Sequence, residues 1–271
     1  MLVYPFADVA LARRFERAEG LANARAVEAR ARLAPESGAC WIEVAGALAM
    51  FDTPTSPITQ TFGLGLFGPV TSDDLSRIES FFRDRRAPVF HEVSPLADSA
   101  VIEQLTTRGY QPFEFTSVMY RPVAATEQWT APEPSLRIRT ISEQEGELWV
   151  RIAADGWREF GCGDFMLEMG RVSAETANLH RYLAELDGRP IATAAMRIHD
   201  GVALMAGAST IPEGRRRGAQ LALLNRRLRD AAAEGCDVVM MGALPGSGSQ
   251  RNAERHGFRI AYTRIKWRLR S

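Results

Sequence analysis

A strand, a turn rich in arginine and glycine, and a helix follow one another in this chain, and no other stretch restricts the possible folds as strongly. The apolar run 202–208 predicts a strand, and leucines recurring at three- and four-residue intervals after position 220 predict a helix. The turn between them contains three consecutive arginines and Gly218. The first turn of a helix has N–H groups without internal partners and carries partial positive charge, and glycine lets a ligand approach the backbone closely. This segment therefore predicts a site for linked phosphate groups.

The spacing of this turn resembles that of a known coenzyme-binding loop. Arg215, two residues, Gly218, one residue and then Gln220, all following Thr210 and Pro212, are similar to the acetyl-CoA diphosphate loop of the GNAT acetyltransferases. The usual loop of that family ends in Gly or Ala, so Gln220 is a departure. Its backbone N–H is retained, and we expect binding through a slightly wider turn. The resemblance implies that the diphosphate is held by one run of residues: Arg215, Arg216, Arg217, Gly218, Ala219 and Gln220.

The same resemblance implies further coenzyme contacts on both sides of the loop. The strand end, with Ser209, Thr210 and Ile211, would separate from its neighbour and pair with pantetheine through backbone groups, one N–H facing the thioester oxygen. The downstream segment 252–258 resembles the family's Leu-Tyr-Glu-Lys-x-Gly-Phe segment. In this chain Ala253 replaces the tyrosine that often protonates the thiolate, and Gly246 replaces an asparagine that often bonds pantetheine. The polar groups left near the coenzyme are Ser249, Gln250, Asn252 and Arg255.

The sequence does not identify a general base. In the GNAT fold the loop 157–164 lines the acceptor side, and there Glu159 and Asp164 are candidates for accepting a proton or attracting a cationic amine. Trp157 and Phe160 would form walls of the cavity. The alternative interpretation is that both carboxylates are solvated surface groups and both aromatic side chains belong to the core.

Two halves of the chain repeat the same pattern. Gly109 and Gly257 each follow a short helix and precede an aromatic strand pair, and a long helix begins 38 residues before the first and 39 before the second. The order of elements after position 136 is that of the GNAT fold. We therefore predict an α/β protein with two GNAT-like domains in tandem: residues 1–123, a proline-containing linker 124–135, and residues 136–271 with the acetyl-CoA site. Two unrelated α/β domains are the alternative.

The first half lacks the residues that a diphosphate needs. Between Thr61 and Ser76 there is no arginine or lysine, and the helix start there carries Asp73 and Asp74. Carboxylates suit the positive end of the helix but repel phosphate. We therefore expect a degenerate N-terminal copy without coenzyme. Its first helix, predicted over 7–34, contains Gly20 as a possible break.

Composition narrows the classes of partner. The chain has 33 basic and 33 acidic residues and a formal net charge of zero, which argues against broad binding to nucleic acids or anionic membranes. The three cysteines, at positions 40, 162 and 236, have neither zinc-site nor disulfide-framework spacing, so no metal is expected. No leader or membrane-spanning run is recognisable, and we expect a cytoplasmic protein.

The leading functional hypothesis is an acetyl-CoA-dependent N-acetyltransferase that passes the acetyl group directly to an amine. Its acceptor would be a small-molecule or peptide amine, and the protein would be a monomer or homodimer. The second hypothesis is a non-catalytic acyl-CoA-binding regulatory module, which Ala253 and Gly246 motivate. A nucleic-acid binder that uses the arginine run is a third possibility, disfavoured by the neutral charge and by the absence of aromatic residues interleaved with basic ones.

Overall fold

The computed structural model describes residues 3–127 and 133–270, without the side chains of Glu143 and Phe160. Part of the predicted linker, 128–132, lies outside the described residues. The chain forms two compact units: the central unit, residues 122–239, and the N-terminal unit, residues 3–121 together with 240–270. Residues 240–270 thus pack with the N-terminal segment, whereas the predicted domain division groups them with 136–239.

The helices and strands occur in this order. The first segment contains α1 Val9–Leu33, β1 Cys40–Val44, β2 Ala47–Phe51, β3 Gln60–Phe62, α2 Ser72–Arg83, β4 Phe90–Val93, α3 Ser99–Thr107 and β5 Tyr110–Pro122. The middle segment contains β6 Leu136–Thr140, α4 Gly146–Asp155, α5 Gly163–Ala174, β7 His180–Leu186, β8 Arg189–His199, β9 Val202–Thr210, α6 Ala219–Ala233 and β10 Val238–Ala243. The last segment contains α7 Gly248–Arg255 and β11 Arg259–Leu269.

The sheet of the N-terminal unit has the strand order β1-β2-β3-β4-β11-β5. Strand β11 pairs antiparallel with β4 on one side and with β5 on the other. The predicted strand pair in each half is therefore a single long strand, and the two strands pair with each other. The reason is local, because neither strand contains a glycine, asparagine or aspartate from which a tight hairpin turn could be built.

Two helices of this unit test predictions made from the sequence, one about the start of α2 and one about a break in α1. The spacing of Thr71 and Asp74 in the sequence predicts a capping box. Helix α2 begins with one, in which Asp74 N–H donates to Thr71 Oγ1 at 3.1 Å and Thr71 N–H donates to Asp74 Oδ2 at 2.9 Å. The possible break at Gly20 is wrong, because α1 is continuous from Val9 to Leu33. A Cβ at Gly20 would lie 3.0 Å from Leu48 Cδ1, so glycine at this position lets the helix lie close to β2.

A buried ion cluster links α1 to the strands of the N-terminal unit. The guanidinium of Arg264 in β11 lies 3.2 Å from Glu16, 2.9 Å from Glu19 and 3.0 Å from Glu92. Tyr262 Oη donates to Glu16 Oε1 at 2.9 Å. Burial raises the pKa of Glu16 to about 7, and the charge of Arg264 only partly opposes this shift.

The central unit carries a meander of antiparallel strands, and its sheet order is β10-β9-β8-β7-β6. In the sequence, the Asp-Gly pairs at 187–188 and 200–201 each predict a tight hairpin turn. Both hairpins are confirmed, and all four residues have positive φ, between 46° and 77°. Helices α4 and α6 both pack on β8 and β9. Trp149 of α4 is buried, and its indole N–H donates to the carbonyl oxygen of Tyr182 at 3.1 Å.

Candidate functional site

Strand β9 contains a β-bulge, and the residues at the bulge are exposed. Thr193 pairs with Ser209 and Ala195 with Ala206, so two residues of β9 lie opposite one residue of β8. Gly207 within the bulge has φ of +60°, and residues 206–208 are exposed although those on either side are buried. Bulges re-aim backbone and side chains next to functional sites. The sequence analysis missed Gly207, and a lone glycine inside an alanine-rich strand was the available signal.

The end of β9 is held from two sides. Ser209 is buried, and its hydroxyl donates to the carbonyl oxygen of Ala153 in α4 at 2.8 Å. The amide of Gln220 donates to the Ser209 carbonyl oxygen at 3.0 Å and to Thr210 Oγ1 at 2.7 Å. The side chain that departs from the usual loop therefore fastens the first turn of α6 to the strand. A Cβ at Gly156 would lie 3.0 Å from the backbone nitrogen of Thr210, so only glycine fits beside this strand end.

The backbone groups of Ile211 are hydrogen-bonded within the protein. Its N–H donates to the carbonyl oxygen of Ile191 at 3.0 Å, and its carbonyl oxygen accepts from Gly214 N–H at 3.0 Å. Both backbone groups that were expected to pair with pantetheine are thus engaged within the protein. Ile211 continues the pairing of β9 with β8 for one more residue.

The predicted phosphate loop forms an open corner at the start of α6. A short 3-10 turn, Pro212–Gly214, leads to Arg216 and Gly218, whose φ angles are +61° and +77°. A Cβ at Gly218 would meet no atom within 4 Å, so this glycine provides a left-handed conformation beside open space. Gly218 caps α6, and in the described part of the chain the N–H groups of Ala219, Gln220 and Leu221 have no acceptor.

The three arginines of the loop are in different electrostatic environments. Arg215 Nη1 lies 2.5 Å from Glu159 Oε2, and its other terminal nitrogen donates to the Gly156 carbonyl oxygen at 3.4 Å. Arg216 and Arg217 are exposed, and neither forms an ion pair with any residue that the structure describes. The open corner at Gly218 therefore carries two uncompensated positive charges, while Arg215 is partly neutralised.

The two candidate carboxylates of the acceptor loop lie in different surroundings. Asp164 is exposed and lines an open cleft of about 360 Å³. Asp155, also on the wall of this cleft, is ion-paired with Arg158. Glu159 instead faces Arg215 of the phosphate loop. Trp157 is exposed, and the side chain of Phe160, the other predicted cavity wall, lies outside what the structure describes.

The remaining predicted coenzyme residues lie on α7. Ser249, Asn252 and Arg255 are exposed on this helix, and Ala253 is buried. The side chain of Gln250 accepts from Gly246 N–H at 2.9 Å and so supports the turn before the helix. Helix α7 belongs to the N-terminal unit and the phosphate loop to the central unit. A role for these three residues in binding the coenzyme stays a prediction.

Two further properties bear on partners. Among the residues that the structure describes, no group of three or more histidine, cysteine, aspartate or glutamate side chains is arranged to hold a metal ion. Within the same residues, none of the helices combines the length and apolar character required to span a membrane.

Comparison with known proteins shows which fold this chain shares and which family model part of it matches. Residues 142–252 match the family model described as an acetyltransferase (GNAT) domain. No curated protein matches the chain. A solved GCN5-related N-acetyltransferase from Kribbella flavida is similar over 91% of this chain and 95% of its own, with a TM-score of 0.65 and 17% identity. A tandem GNAT protein from the clavulanic acid biosynthesis pathway is similar over 77% of this chain and 71% of its own, with a TM-score of 0.56 and 10% identity.

A second solved structure of the same kind, a GCN5-related N-acetyltransferase from Sphaerobacter thermophilus, is similar over 78% of this chain and 72% of its own, with a TM-score of 0.53 and 18% identity. Identities this low show a shared fold. The predicted α/β fold and the predicted resemblance are confirmed, whereas a degenerate N-terminal copy stays a prediction. The chain has the GNAT fold, and its residues 142–252 match the model of the GNAT acetyltransferase domain.

Proposed function

We propose that this protein is an N-acetyltransferase that passes an acetyl group from acetyl-CoA directly to an amine. The observation that carries the proposal is the open corner at Gly218, with N–H groups lacking acceptors and two exposed arginines, in a domain that matches the GNAT family. A diphosphate fits this corner in charge and in space. Backbone N–H groups at a helix start and arginine side chains are the usual partners of phosphate oxygens.

The chain's own residues support each step of such a transfer. The first turn of α6, with Arg216 and Arg217, would hold the diphosphate, and the backbone of the exposed bulge residues Gly207 and Ala208 would pair with pantetheine. When bound, acetyl-CoA supplies an acetyl group activated as a thioester. Asp164 would attract the amine in the cleft and accept its proton as the carbon–nitrogen bond forms. Water would protonate the sulfur as the carbon–sulfur bond breaks, because Ala253 has no proton to donate.

Calorimetric titration with acetyl-CoA tests the binding part of the proposal. We expect one coenzyme per chain, because α2, the helix at the matching place in the N-terminal half, begins with Asp73 and Asp74. Replacing Arg216 and Arg217 together by glutamate should weaken binding by at least about 100-fold, since charge-assisted hydrogen bonds contribute about 1.5–3 kcal/mol each. A matched control replaces Arg137 and Arg229, both exposed and outside the loop, by glutamate.

The control changes the net charge of the protein by the same amount. It should therefore leave the dissociation constant within about twofold of wild type if binding is local to the loop. A folded wild-type protein that produces no heat at millimolar acetyl-CoA would overturn the proposal. Equal weakening in both double variants would show that the affinity depends on net charge and not on the loop.

A non-catalytic acyl-CoA-binding regulatory module is the second candidate function. It is favoured by Ala253 and Gly246, which occupy the places of two polar residues common in the family. The two functions differ in turnover, so release of free thiol from acetyl-CoA is measured with a broad panel of small-molecule and peptide amines. Amine-dependent release above the rate without protein supports the transferase. Coenzyme binding with no release for any amine favours the regulatory module.

A further inference from the structure

Helix α6 carries a buried positive charge that the proposed transfer does not use. Arg227 is 4% exposed, and in the described part of the structure no carboxylate forms an ion pair with it. Burial lowers its pKa to about 10, so the guanidinium remains charged at neutral pH. The buried Arg264 of the N-terminal unit, in contrast, contacts three carboxylates. An uncompensated buried cation costs free energy, and a packed apolar residue would avoid that cost.

The partners of Arg227 are backbone carbonyl oxygens. Its Nη1 donates to the Ala195 carbonyl oxygen at 3.2 Å and to the Ala206 carbonyl oxygen at 3.4 Å. Its Nε donates to the Leu223 carbonyl oxygen, one turn earlier in the same helix, at 3.3 Å. One terminal nitrogen therefore joins β8 to β9, and its two acceptors belong to a single cross-strand pair.

That cross-strand pair is the last regular one before the bulge. Ala195 pairs with Ala206, and the next pair along the strands is Thr193 with Ser209. A bulge disrupts the ladder of hydrogen bonds locally, and carbonyl groups inside a sheet need donors. The guanidinium supplies a donor there, and it also polarises the peptide group that joins Ala206 to Gly207.

We propose that Arg227 is a positioning residue that holds the β9 bulge open, so that the backbone of Gly207 and Ala208 stays available to pantetheine. This inference rests on the proposed function for its ligand. Arg227 acts through the strand and does not itself contact the coenzyme. A purely structural arginine would contribute to stability without a specific effect on residues 206–208.

The test compares Arg227→Lys and Arg227→Met with Leu228→Ala, a neighbouring buried residue of the same helix. Lysine keeps the charge but cannot reproduce the guanidinium geometry, and methionine removes the charge with a similar volume. We expect both Arg227 variants to bind acetyl-CoA at least tenfold more weakly than wild type. Leu228→Ala should lower the melting temperature while changing the dissociation constant by less than twofold, because it leaves the bulge contacts in place.

A second readout requires no coenzyme. Amide hydrogen exchange of residues 206–209 should change in both Arg227 variants and remain as in wild type in Leu228→Ala. If Arg227→Met does not fold, Arg227→Lys alone is compared with wild type and Leu228→Ala in both measurements. Unchanged exchange at the bulge in a folded Arg227 variant overturns the inference, as does wild-type affinity for acetyl-CoA. A wild-type protein that binds no coenzyme overturns the proposed function instead, and the exchange data then decide the role of Arg227 at the bulge alone.

Discussion

Glu16 is a carboxyl group whose protonation is set by its burial. It is 1% exposed between α1 and the sheet, and its pKa is raised to about 7 because burial penalises the charged form more than Arg264 stabilises it. In the unfolded chain the same group titrates near 4.5. The folded protein therefore binds more protons between these two values. Its free energy of unfolding must fall as the pH rises through this window.

Replacing Glu16 by glutamine removes this titration and keeps an oxygen that can accept from Tyr262. Urea unfolding at pH 5, 6, 7 and 8 should show wild type losing up to about 1.4 kcal/mol per pH unit relative to the variant up to pH 7. Buried His91, whose pKa is lowered to about 3, contributes an opposite slope below pH 6.5, but it is common to both proteins. Exposed Glu36→Gln is the control. Parallel stability curves for wild type and Glu16→Gln would contradict the assignment.

The proposed coenzyme site contains two glycines with different surroundings, Gly207 in the bulge of β9 and Gly218 at the start of α6. Gly207 and Gly218 both have positive φ, at +60° and +77°. A Cβ at Gly207 would lie 3.3 Å from the Cβ of Ala195, whereas one at Gly218 would meet nothing within 4 Å. The backbone strain of an alanine is similar at the two positions, about 1 kcal/mol, and only Gly207 adds a steric term.

A comparison of Gly207→Ala with Gly218→Ala distinguishes an effect on protein stability from an effect on coenzyme binding. Chemical unfolding should show a larger loss of stability for Gly207→Ala, about 2 kcal/mol or more against about 1 for Gly218→Ala. Gly218→Ala should still weaken acetyl-CoA binding, because the added methyl group occupies the open corner. Gly188→Ala, in a hairpin with φ of +77° and open space, serves as the control for strain alone. Equal affinities of Gly218→Ala and Gly188→Ala would show that the corner is not used.

At the scale of the whole molecule, the C-terminal strand decides which segments fold together. Strand β11 pairs with β4 through residues such as Ile265 and with β5 along nearly its full length. Both partner strands come from residues 3–121, so a fragment of residues 136–271 lacks them. A long strand without partners on either edge exposes its unpaired backbone groups and is prone to proteolysis and association.

We expect the fragment 136–271, expressed alone, to be cleaved rapidly by protease within 259–269 and to lack a cooperative thermal transition. Co-expression with residues 1–135 should restore protection of that strand, because β4 and β5 are then present. The full-length chain under the same protease treatment is the reference. A monomeric, cooperatively melting fragment whose C-terminal strand resists cleavage would show that β11 does not require those partners.

Local signals in the sequence were enough for the parts of this protein that depend on neighbouring residues. The Asp-Gly turns, the capping box at Thr71 and the strand–loop–helix around Gly218 each depend on chemistry within a few positions, and all of them were predictable. Three other features depend on contacts between residues that are distant in the chain. They are the pairing of β5 with β11, the close approach of Gly20 to β2 that accompanies a continuous α1, and the ion pair of Arg215 with Glu159. Only the tertiary structure decided these, since a side chain's partner across the fold leaves no periodic trace in the sequence. The role proposed for Arg227 was not predictable from the sequence either, because it depends on hydrogen bonds to two carbonyl groups in β8 and β9.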